Sequence, residues 1–220
     1  MYGRVLDGRE LTFGVSGMLF RNALVMYDRQ TETFWSHFTG EALKGPLEGK
    51  TLSVIASAPR VTWKTWRDAH PNTLVLSVDG RTHEVRSSYE SYAKDAGQMG
   101  MRPVQNRDNR LPGKSLVIGV LKGKRAFAYP VEEVVKRGVI MDGGLVIFAD
   151  KDLGLYGAFE ARKGLRFVAL DGRSLVSSEG EKFHAITGKG AGASLKAVPV
   201  IRSYWFAWAD HHPKTALWKP

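Results

Sequence analysis

One eleven-residue pattern occurs twice in this chain. Residues 63–73 read WKTWRDAHPNT and residues 205–215 read WFAWADHHPKT; they share both tryptophans, the Asp, the His, the Pro and the Thr. Four of the six tryptophans lie in these two segments, so whatever they do is done at two places. Trp63, Trp66 and His70 fall at i, i+3 and i+7, the spacing of one helix face, and Trp205, Trp208 and His212 repeat it. A residue before proline is pushed out of α geometry, so the helices should end near His70 and His212, ahead of Pro71 and Pro213. Apolar runs follow, TLVLSV and TALW, which predict a strand after each stop. An indole buries a large apolar area and needs one partner for its N–H. Two short helices, each pressing tryptophans onto a sheet, are therefore expected.

The rest of the chain reads as sheet. Asp7-Gly8, Asp79-Gly80, Asp142-Gly143 and Asp171-Gly172 are each flanked by alternating or apolar runs such as TLVLSV, LVIFAD and LRFVAL. Asp-Gly suits tight hairpin turns because both residues tolerate positive φ. Two further helices are predicted. Residues 87–97, SSYESYAKDAG, have a Ser start, Glu90 three residues on and a Gly stop. Residues 130–138, PVEEVVKRG, have Pro in the first turn, acids early, bases late and Gly at the end. The pattern also repeats upstream: FWSHFTGEA at 34–42 corresponds to KFHAITGKG at 182–190, and LTFGV at 11–15 to LRFVA at 165–169. The expected architecture is a β-rich α+β fold. It has two related lobes, each a small twisted sheet or partial barrel covered by a short Trp-bearing helix. Residues 1–95 form an incomplete first copy, polar residues 96–115 a connector, and residues 116–220 a more complete second copy.

Composition excludes several function classes. The chain has no cysteine, which removes disulfides, thiolate nucleophiles and Cys-ligated zinc. No apolar run approaches the ~20 residues that span a bilayer. The opening residues do not resemble a signal peptide, so a cytoplasmic setting is the default expectation. The net charge of +10 divides as +2, +3 and +5 over residues 1–77, 78–150 and 151–220. A diffuse positive field favours a protein partner or an acidic surface, whereas a nucleic-acid footprint would be more clustered.

Candidate chemistry is sparse. His70 and His212 could bind a metal with Met99 or Met101 nearby as soft ligands. Only six histidines exist, however, and apart from the adjacent His211-His212 none is at metal-motif spacing. A core face explains the Trp-Trp-His stripe better, so no metal site is expected. Tyr27, Asp28, Arg29 and Trp35 form a polar cluster beside an aromatic wall that could hold an anionic or sugar-like ligand. The alternative is a hairpin whose Asp28 accepts backbone N–H groups while Arg29 covers Trp35, and turn chemistry favours it. GVLKGKRAF and TGKGAGAS match no phosphate-loop spacing, and LKAVPV, which follows the second, reads as a strand rather than the helix an anion would need. Glu132-Glu133 belongs to a helix first turn. No catalytic residue and no cofactor is expected.

The phrases YGRVLDGRELTFGVSG, LVMYDRQTETFWSHFTGEALKGPLEGKTL, WKTWRDAHPNTLVLS, RDNRLP, VIGVLKGKRAFAYPVEEV and WFAWADHHPKT, in that order, resemble the bacterial and archaeal domain of unknown function number 3179. The resemblance implies a two-copy protein, usually with an exported or lipoprotein-like leader. It also implies a CPLC-like segment, sometimes with selenocysteine, just before the part matching Tyr2. An extracytoplasmic setting is then expected if such a leader precedes this sequence. The second copy departs from the family pattern, with VSSEGEKF placing Phe183 where relatives tend to have Trp, and Met141-Asp142 for the usual Asn-Asp. The expected function is a non-catalytic binding or structural module, such as an accessory subunit of a larger assembly. The competing expectation is an oxidoreductase-related or metal-handling protein whose reactive Cys pair lies upstream.

Overall fold

The computed structural model describes residues 1–55, 60–75, 90–95, 97–123 and 125–220. In chain order the strands are β1 (Val5–Leu6), β2 (Arg9–Glu10), β3 (Phe13–Phe20), β4 (Ala23–Asp28), β5 (Phe34–Ser36), β6 (Ala42–Lys44), β7 (Leu116–Lys122), β8 (Arg125–Pro130), β9 (Val139–Asp142), β10 (Leu145–Asp150), β11 (Leu155–Glu160), β12 (Phe167–Asp171), β13 (Ser174–Ser177), β14 (Lys182–His184), β15 (Val200–Tyr204) and β16 (Ala216–Leu217). The helices are α1 (Trp63–Ala69), α2 (Glu90–Lys94), α3 (Val131–Arg137) and α4 (Trp205–His211). The fold is β-rich α+β, with separate small sheets and no closed barrel among the described residues. Besides the β1-β2 hairpin, shared hydrophobic clusters join β3-β4-β5-β6 to β15-β7-β8-β16, that sheet to β11-β10-β9, and that in turn to β12-β13-β14, so β3-β4-β5-β6 and β12-β13-β14 are the outer pair.

The turns follow local chemistry. Asp7 and Gly8 both take positive φ between β1 and β2. The β9–β10 turn is shifted one residue from its expected place: Asp142 pairs with Leu145, and Gly143-Gly144 carry the positive φ. Two glycines enter that conformation at less steric cost than Asp does. Arg21-Asn22 makes an equally tight turn between β3 and β4 at φ 47 and 60, without any Gly to signal it. Asp79-Gly80 and the start of the 87–97 helix lie outside the described residues, as does most of TLVLSV; its described part, Thr73 to Val75, is not in a strand. In the second segment TALW does supply β16, parallel to β8. LKAVPV makes only an isolated bridge at Ala197 before β15 starts at Val200.

The outer sheets share detailed geometry. Phe13 lies opposite Asp28 and Phe167 opposite Ser177. Phe13 meets Trp35 edge-on at 5.9 Å, and Phe167 meets Phe183 edge-on at 5.6 Å. Gly40 N–H donates to Ser36 O, and Gly188 N–H to His184 O, each glycine at positive φ. At these close turns a side chain would meet Tyr2 and the Leu195 carbonyl respectively.

The Trp-bearing helices cover these sheets crosswise. Helix α1 leans on β12-β13-β14: Trp66 and Ala69 pack on the cluster holding Phe167, Leu175 and Phe183, and Asp68 pairs with Arg173 at 2.6 Å. Helix α4 leans on β3-β4-β5-β6, where Phe38 packs against Trp208 and stacks on His211 at 4.4 Å. On its other side α4 meets β7, where a Cβ on Gly119 would run into the Trp208 ring. Gly119→Ala should therefore cost at least about 1–3 kcal/mol, the usual range for overpacking a filled core. Urea unfolding checks this, and an unchanged midpoint would mean that Trp208 can shift freely.

Candidate functional site

Both tryptophan helices end in the same way. His70 and His212 are C-caps with φ −135 and −129, and their N–H groups donate to Trp66 O and Trp208 O. The Trp66 indole donates to Thr73 Oγ1 at 3.0 Å, and the Trp208 indole to Thr215 Oγ1 at 2.8 Å. His70 packs on Trp66 at 4.2 Å and His212 on Trp208 at 4.4 Å. Four of the shared letters are thus explained: Trp and Thr satisfy one another, His packs on the indole, and Pro71 or Pro213 follows the stop.

The leading tryptophans differ. Trp205 is 0% exposed and Trp63 is 51% exposed, so the expectation that both are buried holds only for Trp205. The cause is the segment at 108–115. Asp108 O accepts the Trp205 indole N–H at 2.9 Å, and Arg110 lies over the ring at 5.3 Å while forking onto the Asp108 carboxylate. Ser115 O and Gly113 O accept the first N–H groups of α4, which its N-cap Tyr204 cannot serve with a side chain. Helix α1 has no such cover among the described residues and uses the Thr62 side chain as its cap. RDNRLP is thus a roof over α4.

Asp28 and Trp35 are both fully buried. Asp28 accepts Thr31 N–H at 2.6 Å, the Thr31 hydroxyl at 2.9 Å and the Trp35 indole at 2.9 Å. Burial pushes this carboxyl up, but hydrogen bonds from Trp35, Thr31 and the Gln30 backbone outweigh it and hold it below the usual range. Arg29 lies over Tyr27 at 5.9 Å, not over Trp35 as expected, because Trp35 is sealed inside the sheet. The four residues form a satisfied hairpin rather than an open cluster. In the other sheet Ser177 replaces Asp28 and Phe183 replaces Trp35, so donor and acceptor are missing together.

Polar groups without partners gather instead at the C-terminal end of α4. Asp210 is 0% and His211 8% exposed. Asp210 Oδ1 accepts Asn106 N–H at 2.9 Å, and its main-chain oxygen accepts Arg21 Nη1 at 3.0 Å. Asp210 Oδ2, Arg21 Nε, and the Nε2 atoms of His211 and His212 are buried without a hydrogen bond. Native proteins leave few such groups, and each calls for an explanation. At the matching point of α1, Asp68 is paired with both Lys64 and Arg173, which hold its pKa at about 2. Burial lowers the pKa of His211 to about 4, helped by His212, Arg21 and His37 and opposed by Asp210; burial and Arg21 bring His212 to about 4. Beside them is a cavity of about 510 Å³ lined by Arg125, Ala126, His211, His212, Pro213, Lys214, Thr215 and Ala216. His70 lies far along the chain on the other helix, near enough to His184 to lower its pKa after burial and Arg173. Met99 lines a different cavity with Arg107 and Asn109. No cluster of three or more His, Asp or Glu able to hold a metal occurs among the described residues. Sequence reasoning noted His211 only as a neighbour of His212; the usable signal was its position, where the first segment has Ala69.

Acid should expose this site. Both imidazoles are held neutral in the folded chain, while an unfolded histidine protonates near 6.5. The unfolded state therefore binds more protons below that value. The stability from the neutral imidazoles is complete above pH 6.5 and is lost as pH falls toward 4. The urea midpoint should drop across this window, and drop less in His211→Phe, which keeps a ring against Phe38. Equal slopes in the two proteins would count against the assignment.

The matching family model is described as a protein of unknown function (DUF3179), and it covers residues 1–215. The chain belongs to that family. No curated protein and no solved structure matches it. No helix among the described residues is long and apolar enough to cross a membrane.

Proposed function

We propose that this chain is a non-catalytic binding module, built from one ancestral unit used twice, with its ligand site at the C-terminal end of α4. The observation that carries this reading is the meeting of a 510 Å³ cavity with buried, unpartnered polar atoms at that helix end. Pockets of this size, mostly apolar with a few polar groups, suit small molecules. The equivalent end of α1 has its carboxylate paired, so one copy serves as scaffold and the other carries the site. Docking as an accessory subunit is compatible with this role, and the positive charge favours an acidic partner surface.

A thermal-shift screen of the full chain against small anionic, neutral and cationic compounds tests the reading. At least one compound should raise the melting temperature of the wild type and not of Ala126→Phe, which fills the cavity. No shift from any compound, or a shift that survives Ala126→Phe, would contradict it. Stoichiometric metal by elemental analysis would favour the metal-handling alternative instead.

A further inference from the structure

We infer that the α4 cavity takes a small carboxylic acid in its ionised form, gripped by Arg125 and Lys214 over an apolar floor. The inference rests on the binding-module reading and specifies its ligand. Of the residues lining the cavity, Arg125, Lys214, His211 and His212 are basic and none is acidic. Neither Arg125 nor Lys214 has an ion pair among the described residues; Arg125 lies only over the Phe127 ring at 5.0 Å. Guanidinium and ammonium groups without counter-ions beside a concavity match a carboxylate, to which Arg can donate two parallel hydrogen bonds. Ala126, Pro213 and Ala216 form the apolar part of the lining, which suits a short hydrocarbon body rather than a bare inorganic ion. The nearby acid, Asp210, is engaged by Asn106 from the connector and is not part of the lining.

The histidines make uptake proton-linked. His211 and His212 face Arg21 from the β3–β4 turn, and they line the cavity together with Arg125 from β8 and Lys214, just beyond α4; His211 also faces His37, beyond β5, and Asp210. Except for Asp210, these neighbours are cationic or become so in acid, which opposes a positive imidazole. A carboxylate among them offsets that repulsion, so each state favours the other: bound acid raises proton affinity, and protonation tightens binding.

Isothermal titration of the full chain with acetate, benzoate and succinate, with benzamide as the neutral isostere of benzoate and with inorganic phosphate, tests this at pH values of about 5.5 and 8, on either side of ordinary histidine titration. At least one carboxylate should bind, more tightly at the lower pH and with proton uptake seen as buffer-dependent heat, while benzamide should not. The Arg125→Gln, Lys214→Gln double variant should weaken binding by about tenfold or more, as expected for lost charge-assisted hydrogen bonds. His211→Phe should flatten the pH dependence. Benzamide binding as well as benzoate, phosphate binding without any carboxylate, or an unaffected double variant would overturn the ligand class. If the broad screen yields a neutral or cationic ligand lost in Ala126→Phe, only the ligand class falls. Silence in both experiments removes the class and the binding reading together.

Discussion

Trp208→Ala should destabilise the chain by about 3–5 kcal/mol, the range for deleting a large aromatic from a packed core, whereas Trp63→Ala should cost about 1 kcal/mol or less, as for partly exposed side chains. Trp208 is fully buried between Gly119 on β7 and Phe38 in the β5–β6 loop, and its indole holds Thr215. Removing it opens a void on two sides and leaves a buried hydroxyl without its donor. Trp63 begins the same pattern in sequence but is 51% exposed. Urea unfolding of the two variants measures the contrast. Similar losses would mean that Trp63 is covered by other parts of the chain, as Trp205 is.

Asp28→Ser should cost about 2–3 kcal/mol, because it removes a buried charged acceptor and leaves the Trp35 indole and Thr31 N–H groups without a partner. Trp35→Phe alone should also destabilise, since it keeps the carboxylate buried and removes a donor. The double variant installs the pair found as Ser177 and Phe183 on the other sheet. It should lose less than the two single changes added together, by about 1 kcal/mol or more, as for residues in direct contact. Strict additivity would show that the indole–carboxylate bond at 2.9 Å contributes nothing of its own.

Local chemistry made the elements legible in sequence. Pro71 and Pro213 marked the ends of α1 and α4, and the acids and Gly138 marked α3. Asp7-Gly8 marked a hairpin in place, and Asp171-Gly172 marked one shifted by a residue, with Asp171 paired to Ser174 and only Gly172 at positive φ. Arg21-Asn22 was invisible because the neighbouring strands, not a glycine, hold those residues at positive φ. The crossing of the helices was equally hidden. Periodicity says that a helix has an apolar face, but it does not say which sheet the face meets. The exposure of Trp63 has the same origin: the identical spacing at 205–208 is buried only because RDNRLP, distant in sequence, lies over it. The site at the end of α4 depends on Arg21, Asn106, Arg125 and Lys214, which come from four separate segments. Only the difference between Ala69 and His211 at the matching place of the two tryptophan segments pointed toward it.

The most direct test is a site-resolved NMR titration of the histidine side chains in the full chain. Buried Nε2 atoms at the end of α4, with Arg21 nearby and no hydrogen-bond partner, should give His211 and His212 midpoints near 4. Midpoints near the ordinary 6.5 for both would mean that the imidazole nitrogens are hydrated, and the buried, unpartnered groups on which the proposed site rests would not exist.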